Sequence, residues 1–161
     1  MVENNKNLLI KLIFLVSIIA LVSAFFIEYI LGHQACNLCI LERIPYLLAV
    51  ILILLNFKFN QFEKFFILLL TIVFLVGTFL SLYHLGIEHG FIQESLVCDL
   101  KSGSNLQSKE EILKQLQEKN VSCKDVTFKI FGLSLTNYNI LVSFLISAIT
   151  GKIYFNYDKN K

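Results

Sequence analysis

The sequence predicts an all-α integral membrane protein, a four-transmembrane-helix bundle with two loops on the side opposite the termini. Composition is the first reason: of 161 residues, 56% are hydrophobic and only 16% charged, against roughly 25% charged in a soluble protein. Mean hydropathy is +0.69, more apolar surface than a globule of this size can hide. The second reason is that the apolar residues fall in long charge-free runs bounded by charges, as a span of about 20 residues requires. A soluble enzyme and a disordered chain are excluded. A formal net charge of +2 without clustered Lys and Arg gives no case for nucleic acid. The whole chain, 1–161, is read as one membrane domain, with helices at about 8–30, 39–59, 65–87 and 130–153.

The first helix rests on Leu12 to Ile27, with Lys11 able to snorkel at one end and Glu28 at the interface. Val22-Ser23-Ala24 resembles a signal-peptide cleavage site, but apolar sequence continues through Phe25, Phe26 and Ile27, which favours a span. The second helix has the shortest core, Ile44 to Phe57, and reaches full length only from Cys39 to Phe59. Glu42 and Arg43 then sit at one end and Lys58 at the other. Pro45 falls in the first two turns, where a missing amide donor costs least. Phe65 to Ile87, between Lys64 and Glu88, makes the third helix, and Ile130 to Gly151, between Lys129 and Lys152, the fourth.

Four spans put both termini and the Lys58 to Lys64 turn on one side, and loops at about 31–38 and 88–129 on the other. The 14 Lys and Arg divide evenly between the sides. Those on the terminus side crowd short segments beside the helices, which favours cytoplasmic termini. In the long loop, Ser108-Lys109-Glu110-Glu111 reads as a capping box, followed by an apolar stripe of Ile112, Leu113 and Leu116. A short amphipathic helix on the membrane surface or a solvated one satisfies that pattern.

All four cysteines lie outside the charge-free runs and on one side of the membrane. Cys36 and Cys39 form Cys-Asn-Leu-Cys at the mouth of the second helix, and Cys98 and Cys123 lie in the long loop. Two readings stay open beside thiol chemistry: permanent structural disulfides, and a four-thiolate zinc site, although zinc prefers two close pairs and only one is present. The two-residue spacing of Cys36 and Cys39 favours a redox-active dithiol. Arg43 follows Cys39 by one helical turn, so the guanidinium and the sulfur are expected on one face. Its charge and the helix dipole would favour the thiolate at Cys39. Read by itself, Arg43 is equally an interfacial anchor, with Glu42 as its surface partner.

Cys36-Asn-Leu-Cys39-Ile-Leu-Glu42-Arg43, placed between two apolar helices, resembles the signature of the bacterial disulfide bond formation protein B family (DsbB). Tyr83-His84-Leu-Gly86-Ile-Glu88 at the end of the third helix and Phe131-Gly132-Leu133-Ser134 before the fourth extend the likeness over nearly the whole chain. The resemblance implies a multi-pass protein of the bacterial inner membrane with two periplasmic loops. It implies a quinone-dependent protein-disulfide oxidoreductase that reoxidises a periplasmic DsbA-type thiol oxidase, itself a strong oxidant at about −120 mV. Electrons would pass to ubiquinone or menaquinone, without a metal. The implied catalytic cysteines are Cys36, Cys39, Cys98 and Cys123, paired as Cys36–Cys39 and Cys98–Cys123. The partner would attack Cys98, Cys123 would bridge to Cys36, and Cys39 would donate beside Arg43. Glu88 and His89 would flank the quinone ring. His84 and His89 read alone are polar residues at a helix end. A thiol oxidoreductase with a dedicated client and a noncatalytic, disulfide-stapled scaffold are the competing functions.

Overall fold

The computed structural model describes residues 2–93, 122–124, 129–130 and 132–157. Cys98, the expected 108–118 helix and most of the long loop lie outside the described residues. Helix α1 runs from Val2 to Tyr29 and is closed by Gly32 at φ +73°, a left-handed conformation that only glycine adopts without a steric penalty. A short helix α2 (Asn37–Leu41) follows, then a turn at Glu42 and Arg43, then α3 (Ile44–Lys58) with Pro45 in its first turn. A 3₁₀ turn at Asn60–Phe62 leads into α4 (Glu63–Glu88), and α5 spans Leu135–Asn156.

Four stretches are long and apolar enough to cross a membrane: Lys6–Tyr29, Asn37–Lys58, Glu63–Glu88 and Leu135–Asn156. The second span is two helices, α2 and α3, because the chain turns at Glu42–Arg43. The last helix begins at Leu135, later than the charge boundary at Lys129 implies. Lys129–Ile130 (β1) instead pairs antiparallel with Leu133–Ser134 (β2), Lys129 opposite Ser134. Gly132 makes the turn at φ +82°, and a helix cannot run through that conformation.

Helices α4 and α5 form the most extensive pair, with α3 against α4 and α1 against α3. Ile10 and Ile13 of α1, Tyr46, Ala49 and Ile53 of α3, Leu70 and Phe74 of α4 and Ile146 of α5 fill the centre. Large side chains such as Val22, Val76, Phe79 and Phe144 point outward, the distribution expected when the surrounding medium is lipid. Small and hydroxylic residues line the contacts instead, as close helix approach in a bilayer requires. Ser17, Thr78, Ser81 and Thr150 are buried and donate to the carbonyls of Ile13, Phe74, Gly77 and Ile146 at 2.8–3.0 Å, so no hydroxyl is stranded in hydrocarbon. At the terminal end, Glu63 of α4 accepts from Lys6 of α1 at 2.7 Å and from Tyr157 at 3.0 Å.

Helix α3 passes close to α4 at Gly77, where an added Cβ would lie 3.1 Å from Cγ of Pro45, an atom of a rigid ring. Gly77→Val is therefore expected to wedge the two spans apart and lower stability by about 1–3 kcal/mol, seen as a reduced Tm in detergent.

Candidate active site

Seven residues, 30–36, separate α1 from α2, and they deliver Cys36 to the N-cap of that helix. Its sulfur accepts the backbone N–H of Cys39 at 3.2 Å, taking the place of the usual capping oxygen. Both residues are free thiols in this structure. Cys36 is 5% exposed while Cys39 is only partly buried. Cys123, distant in sequence, is buried in the same cluster as Cys36, together with Leu38 and Ile87. Contact with Cys39 and burial both push the Cys36 thiol well above its ordinary value of 9.0, opposed by the neighbouring His84.

Behind the pair lies a polar network. Nε2 of His84 is 3.6 Å from the Cys36 sulfur, and Nδ1 of the same ring lies 2.8 Å from Oε1 of Glu42. A carboxylate can only accept, so Nδ1 carries a hydrogen, and Nε2 faces the Cys36 sulfur. The other oxygen of Glu42 accepts from Asn139 Nδ2 at 2.9 Å, and Asn139 also donates to Ser81 at 2.7 Å and accepts from Tyr46. Glu88 accepts from Thr136 and, at 2.7 Å, from Ser134, while its Oε1 stands 3.8 Å from His84 Nε2. The ends of α2, α4 and α5 are thus tied together by buried polar groups, each one satisfied by another.

A cleft of about 370 Å³ opens beside the network. Val16, Ile19, Ala20, Ala24 and Ile27 of α1 give it an apolar wall, and Cys39, Glu42, Arg43, His84 and Glu88 border its polar end. The guanidinium of Arg43 pairs with Glu28 of α1 and lies 5.2 Å from the Phe25 ring centre. An apolar slot ending in a thiol and a cation suits a flat, lipid-soluble ring with polar edges. The sulfurs of Cys36 and Cys39 and a nitrogen of His84 also lie within 4.8 Å of one another. That set offers three donors, one fewer than a closed structural zinc site takes, and the imidazole nitrogen already faces the Cys36 thiol.

A family profile described as disulfide bond formation protein DsbB matches residues 6–153. The chain belongs to the DsbB family. It is 33% identical over 150 residues to the uncharacterized protein RP370 of Rickettsia prowazekii (strain Madrid E), covering 91% of this chain and 86% of that one. No solved structure matches it. Membership in DsbB, with four apolar spans, makes this a multi-pass membrane protein of disulfide bond formation with a disulfide oxidoreductase role.

Of the residues singled out from sequence, the fold brings Cys36, Cys39, Cys123, Arg43 and Glu88 to one cleft. His89 is exposed, hydrogen-bonded to the Leu85 carbonyl at 3.0 Å and stacked on Phe91, outside the cleft lining. The imidazole facing the cysteines belongs to His84. Glu42 is not the surface partner of Arg43. It is buried and faces His84 and Asn139, because the turn after α2 points consecutive side chains in different directions, and Glu28 takes the arginine. Sequence reading passed over Asn139 and Thr136, and met Ser134 only as part of the Phe131-Gly132-Leu133-Ser134 segment. Their signal is polar residues opening an otherwise apolar span, and such residues mark function by default.

Replacing Asn139 by Leu leaves one Glu42 oxygen without its donor and is expected to cost about 1–3 kcal/mol, measured as a fall in Tm. Because the folded state holds Cys36 as the neutral thiol, its contribution is complete below the ordinary thiol range. It is lost as pH rises through that range, where the unfolded chain releases the proton and the folded one keeps it. Reduced wild type should therefore lose Tm from about pH 9 upward more steeply than Cys36→Ser.

Proposed function

We propose that this protein is a thiol oxidase of the bacterial inner membrane that reoxidises a periplasmic DsbA-type dithiol oxidase and delivers the electrons to a membrane quinone. The observation that carries the reading is the burial of Cys123 against Cys36, beside a Cys39 that borders an apolar cleft. Cys36 is buried in one cluster with Cys123, and Cys39, packed against that cluster, is the more exposed of the pair at the cleft they share. With the termini cytoplasmic, as the basic residues near Lys6, Lys11, Lys58 and Lys64 favour, both loops face the oxidising compartment where thiol exchange is sustained.

Exchange then proceeds by in-line thiolate attack. A thiolate of the reduced partner attacks Cys98 in the Cys98–Cys123 disulfide, freeing Cys123, and the second partner thiol resolves the mixed bond to leave the partner oxidised. Cys123 attacks Cys36 in the Cys36–Cys39 disulfide, and Cys39 departs as a thiolate. Cys98 closes on Cys123, and the electron pair now resides on Cys36 and Cys39. A quinone of the ubiquinone or menaquinone type, when bound, supplies a two-electron, two-proton acceptor soluble in the bilayer. The wall of α1 would hold its ring, with Arg43, Cys39 and Glu88 at the polar end. Arg43 keeps positive charge beside the Cys39 sulfur, and Glu28 keeps the guanidinium in place.

The test mixes purified protein, a reduced DsbA-type partner and a short-chain quinone, and follows quinone absorbance. Each single Cys→Ser variant should fall to background, and Arg43→Ala should slow turnover by about tenfold or more, roughly 1.4 kcal/mol of barrier. A reduced partner lacking its second, resolving thiol should accumulate as a mixed disulfide on Cys98 of the wild type. Full turnover by Cys39→Ser would leave a disulfide-stapled scaffold as the reading.

A further inference from the structure

We propose that Cys36, His84 and Glu42 form a proton-transfer triad in which His84 Nε2 takes the Cys36 thiol proton as that sulfur closes the Cys36–Cys39 bond. The proposal rests on the reading above in one respect only, that this pair cycles between dithiol and disulfide. His84 is the catalytic base, in contact with the reacting sulfur, and Glu42 is a positioning residue that acts through the ring.

The geometry has the three parts such a device needs. The base faces its proton donor, with Nε2 at 3.6 Å from the Cys36 sulfur, and the second nitrogen is fixed by Glu42 at 2.8 Å. Glu42 is in turn fixed by Asn139 at 2.9 Å, so ring orientation and tautomer are set from α5. The ring is 2% exposed and Glu42 8%, which keeps water from competing for the proton. Imidazolium formed in that place also meets compensating charge. Glu88 Oε1 lies 3.8 Å from Nε2, held there by Thr136 and Ser134. A histidine serving only to satisfy Glu42 would need neither a second carboxylate nor a thiol at its far nitrogen.

The step balances as follows. Cys39 begins in a disulfide with a leaving group X. The Cys36 proton moves to Nε2, and the Cys36 sulfur attacks the Cys39 sulfur. The Cys39–X bond breaks, and X departs with the electron pair. The two cysteines are together oxidised by two electrons and X is reduced by two. The proton on Nε2 then goes to X or to solvent. In the opposite direction, when Cys123 exchange releases Cys36, the imidazolium returns the proton. The order of events follows from the surroundings. Contact with Cys39 is the largest influence holding the Cys36 proton in place, burial comes next, and His84 works against both. Once Cys39 is bonded to another group it has no thiol to share with Cys36, and burial remains to oppose His84.

Among the described residues, the ionisable groups facing Cys36 and His84 are Cys39 of α2, Glu42 in the turn, Glu88 of α4 and Cys123 of the loop, with Tyr138 of α5 lining the same cleft. The experiment uses the full chain in detergent with Cys98 and Cys123 both replaced by Ser, so that only this pair reacts. The reduced protein is mixed with glutathione disulfide, quenched by acid and alkylation, and assayed by mass for glutathione on Cys39. In this parent, the mixed disulfide should close too fast to accumulate. In His84→Gln it should accumulate, with closure slowed about 100-fold at neutral pH and restored progressively as pH is raised. A structural defect would not be repaired by alkali. Glu42→Gln should slow closure less, with the same recovery, and carries the test if His84→Gln does not fold. Closure as fast as the parent in either folded variant, or a slowing that pH does not restore, overturns the triad. Neither quinone nor partner enters this assay, so its failure leaves the quinone turnover result standing, and loss of quinone turnover leaves this one.

Discussion

A carboxylate and an imidazole 2.8 Å apart, almost without exposure, close the loop-side end of this bundle. In hydrocarbon neither group has water to return to, and separating them would strand a charge or a dipole at a cost of several kcal/mol. The Glu42–His84 contact therefore fixes the turn after α2 against α4, and with it the helix whose N-cap is Cys36. Asn139 adds α5 to the same lock by bonding the free oxygen of Glu42. The opposite end has its own, simpler tie through Lys6, Glu63 and Tyr157. Between the two ends, apolar packing and the close passage of Gly77 by Pro45 suffice.

That lock also orients the thiols. Cys36 is turned inward to His84 and Cys123, while Cys39, one turn along α2, remains partly open at the cleft. Within the pair, Cys36 is the buried sulfur and Cys39 the partly exposed one. The arginine that sequence spacing associates with Cys39 is held at the cleft mouth by Glu28 from a different helix. This holds the charge at the cleft that Cys39 also lines without leaving a lone cation there, where an isolated one would be costly.

Much of the fold was legible in advance. The four spans appeared in the order and near the positions that charge-free runs implied, and Pro45 sits in the first turn of α3. The start of the last helix was less legible, because the glycine turn at Gly132 lies inside an apolar run where charge marks no boundary. Within the site, the cysteine motif and Arg43 were legible from spacing. The roles of the two histidines were not: His84 and His89 are both polar residues near one helix end, and only helix rotation distinguishes them. His84 faces inward while His89 lies beyond the last turn and stacks on Phe91.

The amino-acid sequence by itself determined which stretches are apolar enough to enter the bilayer and that the four cysteines lie outside the charge-free runs. Transfer from water to lipid is summed along a stretch and needs no knowledge of its neighbours. Tertiary structure decided who pairs with whom: Glu28 with Arg43, Glu42 with His84 and Asn139, Cys123 with the cluster around Cys36. Glu42 finds its partners 42 and 97 positions away. Such contacts depend on the rotation and register of packed helices, which no local pattern of residues encodes.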